Sequence, residues 1–92
     1  MDYSKLSDKE LNLEIGRIKQ TQDLYINYPF LEDDGMTLRA FKELPCAALM
    51  YGDEYKGWYV NWGKRDIRYF RDQNSNRAIW IAWLTWKGEE TK

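Results

Sequence analysis

A chain of 92 residues is long enough for one domain with a single small core, and 43% hydrophobic with 16% aromatic residues excludes a disordered polymer despite 32% charge. The absence of histidine excludes His-dependent nucleophilic catalysis and zinc ligation of the usual kind, and no phosphate loop or GxGxxG is present, so no cofactor is expected. The lone Cys46 cannot staple the chain internally, MDYSKLSDKE has neither the basic nor the apolar region of an export signal, and the longest apolar run, AIWIAWL, has seven residues, well short of the roughly 20 that span a bilayer. These features predict a protein of the reducing cytoplasm without a membrane span.

The net charge of −1 is unevenly placed: residues 1–55 hold 6 Lys and Arg against 11 Asp and Glu, and residues 56–92 hold 8 against 4. Such asymmetry either holds one fold together or presents different faces to different partners.

Helix signals begin at LSDKELNLEIGRIKQ, where Ser7 and Glu10 form a capping-box pattern and Leu6 and Leu11 a hydrophobic staple. They predict a helix over residues 8–20, with Leu11, Ile15 and Ile18 as its apolar stripe. Gly16 weakens that helix by about 1 kcal/mol unless a neighbouring backbone needs the room. In QTQDLYINYPFLEDDG, Leu24, Ile26 and Tyr28 alternate as in a short edge strand, but Pro29 and the acidic turn favour a loop. Thr37 offers an N-cap for a second helix over 38–44, which Pro45 must end. CAALMYGD fits either a fresh helical turn or one arm of a hairpin.

GWYVNW, residues 57–62, reads as a strand with Trp58, Val60 and Trp62 on one face and Tyr59 and Asn61 on the other. KRDIRYFRD alternates likewise and is predicted to pair with it, followed by a polar turn over 72–76. In AIWIAWLTW a strand would be apolar on both faces. As a helix, the stretch collects Ile79, Trp80, Trp83, Leu84 and Trp86 on one side and Ala78, Ala82 and Thr85 on the other, so a helix is predicted, with Asn74 or Ser75 as cap and Gly88 as stop. Trp83, central on the large side, is expected in the core, and Trp80 or Trp86 on its flanks at a contact surface.

Two patterns bear on chemistry. Asp33 or Asp34, followed by Glu54, Tyr55 and Lys56, loosely resembles the carboxylates and lysine of a magnesium-dependent nuclease. Both segments look like turns rather than rigid adjacent strands, so solvated loops are the expectation. Lys64, Arg65, Arg68, Arg71 and Arg77 lie beside Trp58, Tyr59, Trp62, Tyr69 and Phe70; cations interleaved with rings suit single-stranded nucleic acid. The plainer reading has the rings in the core, covered by arginine stems, with Asp66 and Asp72 neutralising part of the charge.

MDYSKLSDKELNLEIGRI, Leu44-Pro45 before an apolar run, Gly57-Trp58, and Asn76-Arg77-Ala78 opening the last hydrophobic segment resemble the NinX family, small proteins of lambdoid phages and enterobacterial prophages. The resemblance extends thinly along nearly the whole chain and is strongest in DYSKLSD and NRAIWIAWL. It implies a phage accessory protein made in the bacterial cytoplasm, with a helix at each end of the chain, and it implies no activity and no site residues. The tryptophan-rich last segment and KRDIRYFRD depart from the family pattern.

The combined expectation is a single α+β domain: an N-terminal helix, short central helices, a small antiparallel sheet around residues 57–71, and an aromatic C-terminal helix. It is expected to bind a host or phage protein without catalysis, with Trp80, Trp86, Trp58 and Tyr59 as candidate contacts and a homodimer among the partners considered. The alternative is nucleic-acid binding through Lys64, Arg65, Arg68, Arg71 and Arg77.

Overall fold

The computed structural model describes residues 2–19 and 28–90. The domain is α+β, as expected, and is assembled around its last helix. Three helices, α1 (Asp8–Lys19), α2 (Asp34–Glu43) and α3 (Ser75–Glu90), accompany an antiparallel meander of β1 (Ala48–Gly52), β2 (Gly57–Trp62) and β3 (Arg68–Asp72). The two readings left open for CAALMYGD resolve to the hairpin: β1 pairs with β2 in a register that sets Leu49 opposite Val60. The sheet therefore has one strand more than the pair expected around residues 57–71. Leu24 and Ile26, and the reading of their stretch as loop or strand, lie outside the described residues.

Local chemistry explains the helix ends. At α1 the capping box forms in both directions, with the Glu10 N–H donating to Ser7 Oγ at 3.2 Å and the Ser7 N–H donating to Glu10 Oε1 at 3.1 Å. Its stripe points inward, with Leu11 and Ile15 buried and Ile18 packed on the core. Helix α2 starts a turn earlier than predicted. Asp33, rather than Thr37, is its N-cap, accepting from the Met36 N–H at 3.0 Å. Asp34 and Gly35, expected as an acidic turn, are helical, and Thr37 lies one turn inside the helix, buried against α3. The Asn74 side chain accepts from the Arg77 N–H at 3.0 Å and caps α3. Gly88 does not stop that helix. A lone glycine costs a helix about 1 kcal/mol without breaking its backbone bonds, and α3 runs on to Glu90, with Glu89 paired to Arg68 of β3.

Ala78 to Leu84 are buried without interruption, so α3 is covered on both sides rather than on one. The predicted division of large from small residues survives, but each side has its own neighbour. Ala78, Ala82, Thr85 and Glu89 share one side of the helix. Glu89 reaches Arg68, which lies on the same sheet face as Phe70 and Val60, so the small residues lie against the sheet. The opposite side faces the other helices. There the Trp80 indole N–H donates to Thr37 Oγ1 at 2.8 Å and to the Phe30 carbonyl at 3.2 Å, and the Trp83 N–H donates to Glu43 at 2.5 Å. Tyr28, Phe30, Trp80 and Trp83 form a chain of edge-to-face rings at centroid spacings of 4.8, 5.7 and 5.3 Å. Lys19 and Lys87 lie over the outer indole faces, Lys19 at 5.1 Å from Trp83 and Lys87 at 4.8 Å from Trp86.

The tryptophans should therefore separate in a urea titration. Replacing Trp80 or Trp83 by alanine is expected to cost about 3–5 kcal/mol, as large-to-small core changes do. Trp86→Ala, at a half-buried position, should cost about 1–2 kcal/mol, since less apolar area is uncovered.

The α2 cap carries a pH signature. The Tyr28 hydroxyl and the Met36 N–H both donate to Asp33, holding its carboxyl below the usual aspartate value of 3.8. The folded state thus binds this proton more weakly than the unfolded chain. The cap's contribution is fully present above the usual value and is lost as pH falls through the depressed one. Asp33→Asn, which keeps a capping oxygen but cannot titrate, should flatten this part of the acid limb in a pH series of thermal unfolding.

Candidate binding surface

With α3 enclosed, the described residues leave the other face of the sheet open as a candidate surface for a partner. Strand pairing sets Met50, Tyr59 and Arg71 in one row across that face and Ala48, Asn61 and Tyr69 in the next. Met50 is 39% and Tyr69 59% exposed, and Ile67, just before β3 and of the same parity, is 60% exposed. The Tyr59 and Tyr69 rings stack diagonally, 5.5 Å apart and 18° from parallel. A run of exposed apolar and aromatic groups on a regular face differs from the single exposed leucines of α1 and α2, Leu13 and Leu38, which need no explanation.

The predicted contacts divide. Trp80 is 0% exposed and cannot meet a partner: its flanking position on the wheel becomes central once α1, α2 and the Phe30–Glu32 turn close over it. Trp86 is half-buried beneath Lys87. Trp58 points to the α3 side, half-buried, its ring 5.0 Å from that of Tyr51. Tyr59 is on the open face. Met50 and Ile67 are surface residues that sequence reasoning misses, and Tyr69 enters it only among the rings of the nucleic-acid pattern. Strand parity around GWYVNW is enough to place Tyr59 outward, but setting Met50 and Tyr69 beside it requires the pairing of all three strands.

The basic cluster divides too. Arg77, its side chain 17% exposed, is an internal tie rather than a phosphate contact. Its guanidinium donates to Asp72 at 3.2 Å, to Asp8 at 2.6 Å, and to the Ser4 and Leu6 carbonyls at 3.0 and 2.7 Å. It thereby joins the chain start, α1, β3 and α3. DYSKLSD and NRAIWIAWL, far apart in sequence, meet at this residue. Arg68 is engaged by Glu89. Lys64, Arg65 and Arg71 are exposed and make no ion pair among the described residues.

The nuclease-like pattern is not assembled as one site. Asp34 sits in the first turn of α2, where its Oδ1 accepts from Asn76 at 2.9 Å. Glu54 and Lys56, at the β1–β2 turn, line an open depression of about 470 Å³ with Arg71, Asp72 and Gln73, and Asp34 is not in its wall. Among the described residues no three Asp, Glu or Cys side chains converge as metal ligands. Comparison of the chain with protein-family models, curated proteins and solved structures returned no match.

Arg77 and Arg71 should accordingly behave as opposites. Arg77→Gln strands the Ser4 and Leu6 carbonyls and breaks two ion pairs, with an expected cost of about 2–4 kcal/mol. Amide exchange across Tyr3–Leu6 should accelerate with it. Arg71→Gln should leave stability within about 0.5 kcal/mol, as surface changes do.

Proposed function

We propose that the protein is a small binding module without catalytic activity that engages another protein through the outer face of its sheet. The observation that carries this is the exposure of Met50, Ile67 and Tyr69 on one rigid face, while the tryptophan helix is consumed by the core. Aromatic and methionine side chains are enriched at the centres of protein interfaces, with arginine, and Arg71 stands in the same row as Met50 and Tyr59. The resemblance of DYSKLSD and NRAIWIAWL to NinX proteins supports a setting in phage biology, with a host or phage protein as partner in the bacterial cytoplasm.

Nucleic acid is the second reading, favoured by Arg71 on this face and by the cations Lys64 and Arg65 in the adjoining turn. It has lost Arg77 to internal pairs, and Arg68, half exposed, is engaged by Glu89, while phosphate tracking depends on the number of cations available. A photo-crosslinking residue at position 69, with position 13 on α1 as control, tests both readings in bacterial cytoplasm. A discrete protein adduct from 69 and none from 13 is expected. Equal labelling from both sites would remove the outer face as the binding surface, and a nuclease-sensitive adduct would replace the protein partner by nucleic acid.

A further inference from the structure

β1 is an edge strand: β2 occupies one side, and among the described residues nothing pairs with the other. Free edges invite strand addition, and proteins usually guard them with charge, proline or a bulge. The opposite edge, β3, is guarded by Arg68, Arg71 and Asp72. The five residues of β1, ALMYG, contain neither charge nor proline. Met50 on one face and Tyr51 on the other, 39% and 65% exposed, leave apolar surface on both sides of this edge.

The charges at the two ends of β1 indicate what covers it. Beyond its C-terminal end lie exposed Asp53 and Glu54. At its start, the Gly63 N–H donates to the Pro45 carbonyl at 2.7 Å, holding the β2–β3 turn with exposed Lys64 and Arg65 alongside. With Lys56 and Asp66 included, the ends keep opposite net signs. A two-fold axis through β1 runs a second copy of the strand antiparallel to the first. The acidic end of each copy then meets the basic end of the other, twice by symmetry, whereas parallel addition would set like against like.

We propose that two copies of this chain join edge to edge through antiparallel β1 strands, forming one continuous sheet with three strands from each copy. The pairing satisfies the outward backbone groups of β1, buries Met50 and Tyr51 of each copy, and places the two outer faces side by side. It does not depend on what docks on that face.

Sedimentation equilibrium of the full chain tests the proposal, with Met50→Lys and Ile67→Lys compared. The native protein should sediment as a dimer that weakens as salt is added. Met50→Lys should raise the dissociation constant by about 100-fold or more, because like charges meet at the axis, while Ile67→Lys should leave it unchanged. Should Met50→Lys fail to fold, single cysteines at 48 to 52 in a Cys46→Ser background provide the second measurement. Self-crosslinking under mild oxidation should peak at one position and fall away on either side. A monomer at every concentration, a dimer broken by Ile67→Lys and not by Met50→Lys, or crosslinking spread evenly over 48 to 52 would each overturn the proposal.

Discussion

Enclosing a helix on every side sets the terms for the rest of this molecule. Residues 78–84 of α3 expose almost nothing to water, and two of them are tryptophans, each with an indole N–H that cannot be left unpaired in an apolar interior. The pairing of Trp80 with Thr37 and the Phe30 carbonyl, and of Trp83 with Glu43, therefore dictates where α2 and the turn before it must lie. On the other side, alanines at 78 and 82 let the helix approach the sheet closely enough for Val60, Trp62 and Phe70 to pack with it. A helix between a sheet and two other helices gives a small domain one continuous core in place of two thin ones.

Arg77 supplies the corresponding polar constraint at the N-terminal end of that helix. Four of its five N–H donors are matched by two carboxylates and two main-chain carbonyls from the chain start and from β3, a geometry suited to the planar guanidinium and not to a lysine ammonium. Asn76 beside it donates to the Leu31 carbonyl and to Asp34, extending the network to the start of α2. The Asn-Arg pair thus aligns α1, α2 and β3 around the first turn of α3.

With the aromatic helix used as core, the proposed recognition role falls to the sheet. Among the described residues the meander is covered on one face, and antiparallel sheets commonly leave the other open. Its open face combines stacked tyrosines, a methionine and an arginine, and one of its edges lacks the charges that guard the other. Both properties follow from where the chain places its polar groups: the inward parity of β3 uses Arg68 and Asp72 in pairs with α3, leaving the outward parity to Tyr69 and Arg71.

Patterns confined to one element are legible in the sequence itself. The Ser7–Glu10 capping box, the stripe of α1, the alternation of GWYVNW and the helical separation of large from small residues in AIWIAWLTW are short-range consequences of side-chain spacing. The class of fold follows from them. Local spacing misplaces the start of α2 because Asp33 and Thr37 are both competent caps, and the choice between them rests on the Trp80 indole claiming Thr37 across the core. The fate of CAALMYGD rests on the availability of β2 as a partner. Trp80 looks like a flank on a helical wheel because the wheel records direction and not what is packed in that direction. Which cations stay exposed, and which face stays open, are properties of contacts between residues tens of positions apart. Tertiary packing alone decided them, because burial and ion pairing depend on distances that local spacing does not encode.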